Sequence, residues 1–252
     1  MIFAVGDSKA SKRAGSSEMS SVYQSRQPSA APPKWGRPRY SAVQLLAALA
    51  LLFVLTPFIE DLPRGYLIEA VMLTFVMVSS ILAVGGRPRT LIIALVLVIP
   101  ALAGRWINGF QPHLLHPVFF LIPAVLFFAF IIAHLLRFIV LAPRVNAEVL
   151  CAGVAGFLML GLLWAPLYLL VAGFDPPAFK VQAGTPFDGY NAFYFSFVTL
   201  CTVGYGDVTP ASKVARMLAV SEAITGIFYM AVLISRLVSI YSSSQRPDNN
   251  VP

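Results

Sequence analysis

TLCTVGYGDVTP, residues Thr199–Pro210, interrupts a long apolar stretch of the chain with two glycines, Gly204 and Gly206, around a tyrosine. Glycine is poor at continuing a helix, and irregular backbone cannot face hydrocarbon, because each amide and carbonyl there needs a hydrogen-bond partner. Such a loop at membrane depth survives only when buried in protein or lining a water-filled path. The preceding stretch, Asp188–Cys201, has a helical pattern. Thr185-Pro186-Phe187-Asp188 offers it a start, with a hydroxyl at the cap, proline at the first position and a carboxylate three residues on. That helix is too short to cross a ~30 Å hydrocarbon core, so the chain is predicted to enter, turn and leave by one face. Glycine dihedrals allow successive carbonyls to point to one side, where they can replace the water shell of a cation. The C-terminal end of the short helix aims its partial negative charge at the same axis.

The rest of the chain supplies the membrane. Of 252 residues 58% are hydrophobic and 12% charged, and the mean hydropathy is +0.78. A soluble domain carries roughly twice that charged fraction. Six spans are expected: Ala42–Ile59, Leu67–Val84, Leu91–Ala103, Val118–Leu141, Val149–Gly173 and Val214–Tyr241. The third has only 13 residues before Arg105, so it crosses if Arg105 and Trp106 snorkel and is otherwise re-entrant. The fold class expected is an all-α integral membrane protein. Its domains divide into a disordered basic tail (1–40), a four-helix region of unknown role (41–145), the outer helix, short helix, loop and inner helix (146–241), and a short polar tail (242–252).

Six spans with the N-terminus inside place 13 of the 18 lysines and arginines on the inner side, leaving Arg64, Arg105, Lys180, Lys213 and Arg216 outside. This is the bias of the positive-inside rule, so both termini are expected in the cytoplasm, in a plasma membrane of prokaryotic type. The net charge of +7 resides in the tail and at loop edges, which argues against a nucleic-acid partner. Arg236 and Arg246 fit contact with lipid headgroups. Cys151 and Cys201 lie in apolar or loop sequence and suggest neither a disulfide framework nor a metal site. His113 and His116 fall in an outer loop and His134 near the inner end of a span, too far apart to share a metal. Glu222, inside the last span, needs a partner on the short helix or a neighbouring span, as a brace rather than a permeation site.

Thr202-Val203-Gly204-Tyr205-Gly206-Asp207, between two spans and after a short aromatic helix, resembles the signature filter of the potassium channel family. The resemblance runs from about Val149 to Tyr241; the first four spans show no comparable signature. It implies that the carbonyls of Thr202, Val203, Gly204 and Tyr205 coordinate potassium, with the Thr202 hydroxyl closing the inner end. Gly204 and Gly206 would allow the backbone, Tyr205 would brace the loop against the pore helix, and Asp207 would cap the outer mouth. One chain supplies one wall, so a homotetramer follows. Gly226, 20 residues after Gly206, matches the family's hinge glycine, and Ile227, Met230 and Ile234 would line the cavity below. Departures are Tyr194 and Phe195 where many relatives carry tryptophan, Val198 where some carry glutamate, and Cys201 where threonine is frequent. Tyr194 and Thr199 still offer hydroxyls for filter support.

The expected function is therefore passive, selective potassium conduction, without enzymatic chemistry or a cofactor; potassium is the permeant ion. A less selective monovalent cation channel and, further off, the ion-translocating subunit of a potassium uptake system are the alternatives. Arg137 alone in the fourth span is far too little charge for a voltage sensor. Gating is left to the pore, the lipid or a regulatory partner.

Overall fold

The computed structural model describes residues 41–59, 65–84, 88–111, 114–142, 146–182 and 184–244. The expected tails 1–40 and, beyond Ser244, 245–252 lie outside the described residues, as do Glu60, Asp61, Arg64, His113, Arg144 and Arg246. The elements are α1 (Ser41–Ile59), α2 (Gly65–Val84), α3 (Pro88–Phe110), α4 (Val118–Leu141), α5 (Ala147–Phe174), β1 (Phe179–Val181), α6 (Gly189–Leu200), β2 (Val208–Pro210) and α7 (Lys213–Ser244). All helices except α6 are long and apolar enough to cross a membrane, six in number among the described residues. Helices satisfy their own backbone, which is why apolar segments of this length adopt them in lipid.

The third span is a full 23-residue helix, α3, and not a 13-residue stub or a re-entrant segment. Its continuation past Arg105 has a cause that a count of apolar residues misses. Arg105 forms an ion pair with Glu69 of α2 at 2.6 Å. Trp106 donates its indole N–H to the Thr74 hydroxyl one turn further along α2, at 3.2 Å. The charge is thus neutralised sideways, and the helix runs on to Phe110. The pair borders a cavity of about 380 Å³ whose lining also includes Tyr66, Asp188 and Tyr190.

The hub is α5, which packs against α1, α4, α6 and α7. Between lipid-embedded helices there is little hydrophobic driving force, so close packing depends on small residues. Gly153, Gly156 and Gly161 supply them: a Cβ would run into Leu233, the Tyr229 hydroxyl and the Phe197 ring, respectively. Tyr229 uses that closeness to donate to the Gly153 carbonyl at 2.7 Å. The apolar side chains that remain exposed, such as Val54, Val96 and Phe119, lie on the spans, as expected of surfaces facing lipid.

Besides the packing of α1 and α4 on α5, two specific contacts tie the first four helices to α6 and α7. Phe53 of α1 meets the rings of Phe193 and Phe197 on α6, the latter edge-on at 4.5 Å. At the opposite end, Arg236 of α7 donates to the carbonyl of Ala142, the C-cap of α4, at 3.1 Å. The guanidinium thus satisfies an end-of-helix carbonyl within the protein.

Candidate functional site, the α6–β2 loop

The loop begins where α6 ends. Its helix starts at Gly189 and not after Thr185: the N-cap is Asp188, whose side chain accepts from the Asn191 amide at 2.9 Å. Residues 185–188 carry no helix, and Phe187 stacks on Phe179 of β1, centroids 4.1 Å apart. Both Thr185 and Asp188 are good capping types, and this stacking places the later one at the helix start. At 12 residues α6 is about 18 Å long, short of a bilayer crossing.

From Cys201 the backbone takes an alternating course. Thr202, Gly204 and Gly206 have φ of +55°, +58° and +82°, the left-handed region, whereas Val203 and Tyr205 do not. Alternation of hand along a strand rotates successive peptide planes so that their carbonyls can share a side, and glycine accepts it without steric cost. Two of the three positions are glycine; Thr202 is the exception, held by its amide bonding the Thr199 carbonyl at 2.9 Å. The amides of Val203 and Gly204 both reach the Val198 carbonyl, at 2.9 and 3.4 Å, so the base of the loop folds back onto the last turn of α6.

The far end is tethered separately. Tyr194 donates its phenol proton to Asp207 at 2.6 Å. That bond holds the Asp207 carboxyl below the usual carboxylate range and pushes the Tyr194 phenol up to about 12. Asp207 also accepts from the Val208 amide, and its own carbonyl accepts from Gln182 at 2.7 Å. β2 then pairs antiparallel with β1, Val181 opposite Val208 and Phe179 opposite Pro210. This small two-stranded element was not anticipated from the sequence, and it anchors the exit of the loop.

The Tyr205 side chain is 73% exposed and has no hydrogen-bond partner among the described residues. Thr199 contributes its carbonyl; its hydroxyl has no partner among the described residues. Phe195 is buried against Tyr168 and Phe179, away from any hydrogen-bonding duty. Gly226 sits inside unbroken α7 where a Cβ would lie 2.5 Å from the Leu200 carbonyl, so its first role is close approach of α6 to α7. Ile227, Met230 and Ile234 are exposed on α7 in the single chain.

Behind the loop lies a cluster that the sequence pointed to only in part. Glu222 is fully buried and meets both a short-helix hydroxyl and a neighbouring span, as its apolar setting required. Ser196 lies 2.6 Å from its Oε1, and the Tyr168 hydroxyl bonds its Oε2. Ser196 also contacts the Gly161 carbonyl at 2.9 Å. Among histidines, His116 lies against Phe174 and the Nδ1 of His134 is 3.0 Å from its own helix's Phe130 carbonyl. No group of three or more metal-ligating side chains occurs among the described residues, and both cysteines are free.

Residues 148–243 match the family described as "Ion channel". The chain is 41% identical over 64 residues to the "Two pore potassium channel c" of Oryza sativa subsp. japonica, 25% of this chain and 14% of that protein. It is 26% identical over 86 residues to the "Voltage-gated potassium channel" of Aeropyrum pernix, 34% of this chain and 28% of that one. Over 41 residues it is 51% identical to the "Voltage-gated potassium channel Kch" of Escherichia coli, 16% of this chain and 10% of that one. The chain thus spans well under a third of the length of these relatives. No solved structure matches. The stretch from the first turn of α5 to the end of α7, with the loop at its centre, therefore belongs to the ion channel family, which is one of channels and not of enzymes, and within it is related to potassium channels.

Proposed function

We propose that four copies of this chain form a potassium-selective pore in a cell membrane, each contributing one wall of a carbonyl-lined filter. The observation that carries this is the alternating backbone of Thr202–Gly206, with left-handed residues at every second position. The carbonyls of Thr202, Val203, Gly204 and Tyr205 coordinate the dehydrated ion, and the Thr202 hydroxyl closes the inner end. In this arrangement α6 is a re-entrant pore helix, its C-terminus and last carbonyls directed at the ion path. The exposure of Val203 and Tyr205, at 51% and 73%, is what a wall awaiting its neighbours would show: Tyr205 braces against an adjacent subunit. Ile227, Met230 and Ile234 line the cavity below, and any bending at Gly226 opens it.

Both termini are placed in the cytoplasm by the arginine and lysine distribution. The domain division of 1–40, 41–145, 146–241 and 242–252 stands as part of the proposal. The pore is not steeply voltage-gated, because α4 carries Arg137 alone. A less selective cation channel is the second reading. It is favoured by Phe195, which is packed away from the loop and leaves Tyr194 as the side chain of α6 bonded to its far end.

The test is cation flux into liposomes carrying the purified protein, with potassium, with sodium, and with Gly204→Ala. Potassium flux that exceeds sodium flux and disappears in the variant supports the selective pore. Equal fluxes move the assignment to the non-selective channel.

A further inference from the structure

Three buried polar side chains outside the ion path carry more information than a brace. Ser196, Glu222 and Tyr168 are each fully buried, on α6, α7 and α5 respectively. Among the described residues no cation lies within ion-pair distance of Glu222. The titratable groups beside it are Tyr168 on α5 and Cys201 just past α6.

The contacts can be counted in protons. A hydroxyl has one proton to donate. Ser196 Oγ faces two acceptors, the Gly161 carbonyl and Glu222 Oε1, while Tyr168 faces Glu222 Oε2. Three contacts require three protons, and the two hydroxyls bring two. The third is supplied only if the carboxyl group is protonated: Glu222 Oε1–H donates to Ser196, Ser196 donates to Gly161, and Tyr168 donates to Oε2. As a carboxylate, Glu222 would take the serine proton away from Gly161 and remain a buried, unpaired charge at membrane depth, an arrangement that costs several kcal/mol.

The cluster also has a position. Ser196 stands two residues before Val198, whose carbonyl receives the amides of Val203 and Gly204. We infer that Glu222, as the neutral carboxylic acid, is a positioning residue for the filter, fixing the depth and rotation of α6 through Ser196 and so setting cation selectivity. The inference rests on the filter reading given above. Glutamine reproduces the pattern, its amide N–H donating to Ser196 and its carbonyl accepting from Tyr168, whereas leucine fills the volume and supplies neither.

The experiment compares wild type, Glu222→Gln, Glu222→Leu and Ser196→Ala as full chains in liposomes. It reads the potassium-to-sodium flux ratio between about pH 5 and 9 and the infrared carbonyl stretch of a protonated carboxyl group. Expected are a protonated-carboxyl band in wild type that Glu222→Gln removes, and a flux ratio in Glu222→Gln within about twofold of wild type across the pH range. Glu222→Leu and Ser196→Ala should lower the ratio about tenfold, the equivalent of one lost hydrogen bond. A Glu222→Gln ratio as low as that of Glu222→Leu, or absence of the band, overturns the neutral acid. An unchanged ratio in Glu222→Leu overturns the positioning role. Failure of Glu222→Leu to assemble leaves Ser196→Ala and the band to decide. Wild type that fails to discriminate potassium from sodium sinks the filter reading instead, and the band then tests the protonation of Glu222 by itself.

Discussion

Tyr194 and Asp207, 13 residues apart in sequence, are joined by a 2.6 Å hydrogen bond that spans the whole α6–β2 loop from its supporting helix to its exit. Removing the donor with Tyr194→Phe frees the exit end. The bond is partly exposed, so the expected loss is modest, about 1 kcal/mol per chain, read as a fall in thermal stability of the assembled protein.

The same pair sets a pH window. Because Tyr194 holds Asp207 below its ordinary range, the stabilisation is complete above ~4 and is lost as pH falls through the depressed folded value. On the alkaline side the phenol is raised to about 12, so the contribution is present below the ordinary tyrosine value and is lost as pH rises toward 12. Stability of the wild type against that of Tyr194→Phe should therefore differ by a constant amount from ~5 to ~9 and converge in acid. A difference that grows in acid would contradict the assignment.

Gly226→Ala sets a methyl group 2.5 Å from the Leu200 carbonyl, which cannot move without shifting the base of the α6–β2 loop. Overpacking of this kind costs ~1–3 kcal/mol, and here it is expected to lower potassium flux as well. Gly173→Ala, with nothing within 4 Å of the added atom, is the matched control and should be neutral in the same flux assay.

The Glu69–Arg105 pair invites a double-mutant cycle. The two side chains are 39% and 29% exposed, so the coupling energy is expected near 1 kcal/mol or below, measured by thermal unfolding in detergent. Charge exchange, Glu69→Arg with Arg105→Glu, should recover most of the loss of either single change.

Voltage supplies a fifth check. Moving one charge across the full field is worth ~2.3 kcal/mol per 100 mV, and Arg137 is the one basic residue on α4. One charge crossing the full 200 mV between −100 and +100 mV would be worth ~4.6 kcal/mol, more than about a thousandfold. An Arg137 that stays near the C-terminal end of α4 predicts a far smaller conductance change in planar bilayers, less than about tenfold. A steeper relation would require gating charge located elsewhere.

Much of this architecture can be read from residue types alone. Length and apolarity locate the spans, and the six residues 202–207 locate the loop, because both depend on local composition. What escaped depends on partners distant in sequence. Arg105 ends the apolar run of the third span, and its neutralisation by Glu69, 36 residues away, shows only in the folded helix pair. Glu222 announces its need for a partner, yet nothing in the sequence selects Ser196 and Tyr168 to meet it. Thr185 and Asp188 are both capping types, and the stacking of Phe187 on Phe179 accompanies the use of the second, the stronger cap. The exposure of Tyr205 could not be read from the sequence either, since it depends on what the folded loop packs against.

Apart from their packing on α5, the first four helices touch α6 and α7 at two separate places: Phe53 against the rings of α6, and the Ala142 carbonyl against Arg236 toward the C-terminal end of α7. Whatever tilts the inner end of α7 must pull on α4, and whatever shifts α6 must push on α1. The peripheral helices are in that sense a lever with a grip on both α6 and α7. A stimulus that changes their tilt, such as bilayer thickness or tension, has a direct mechanical route to both.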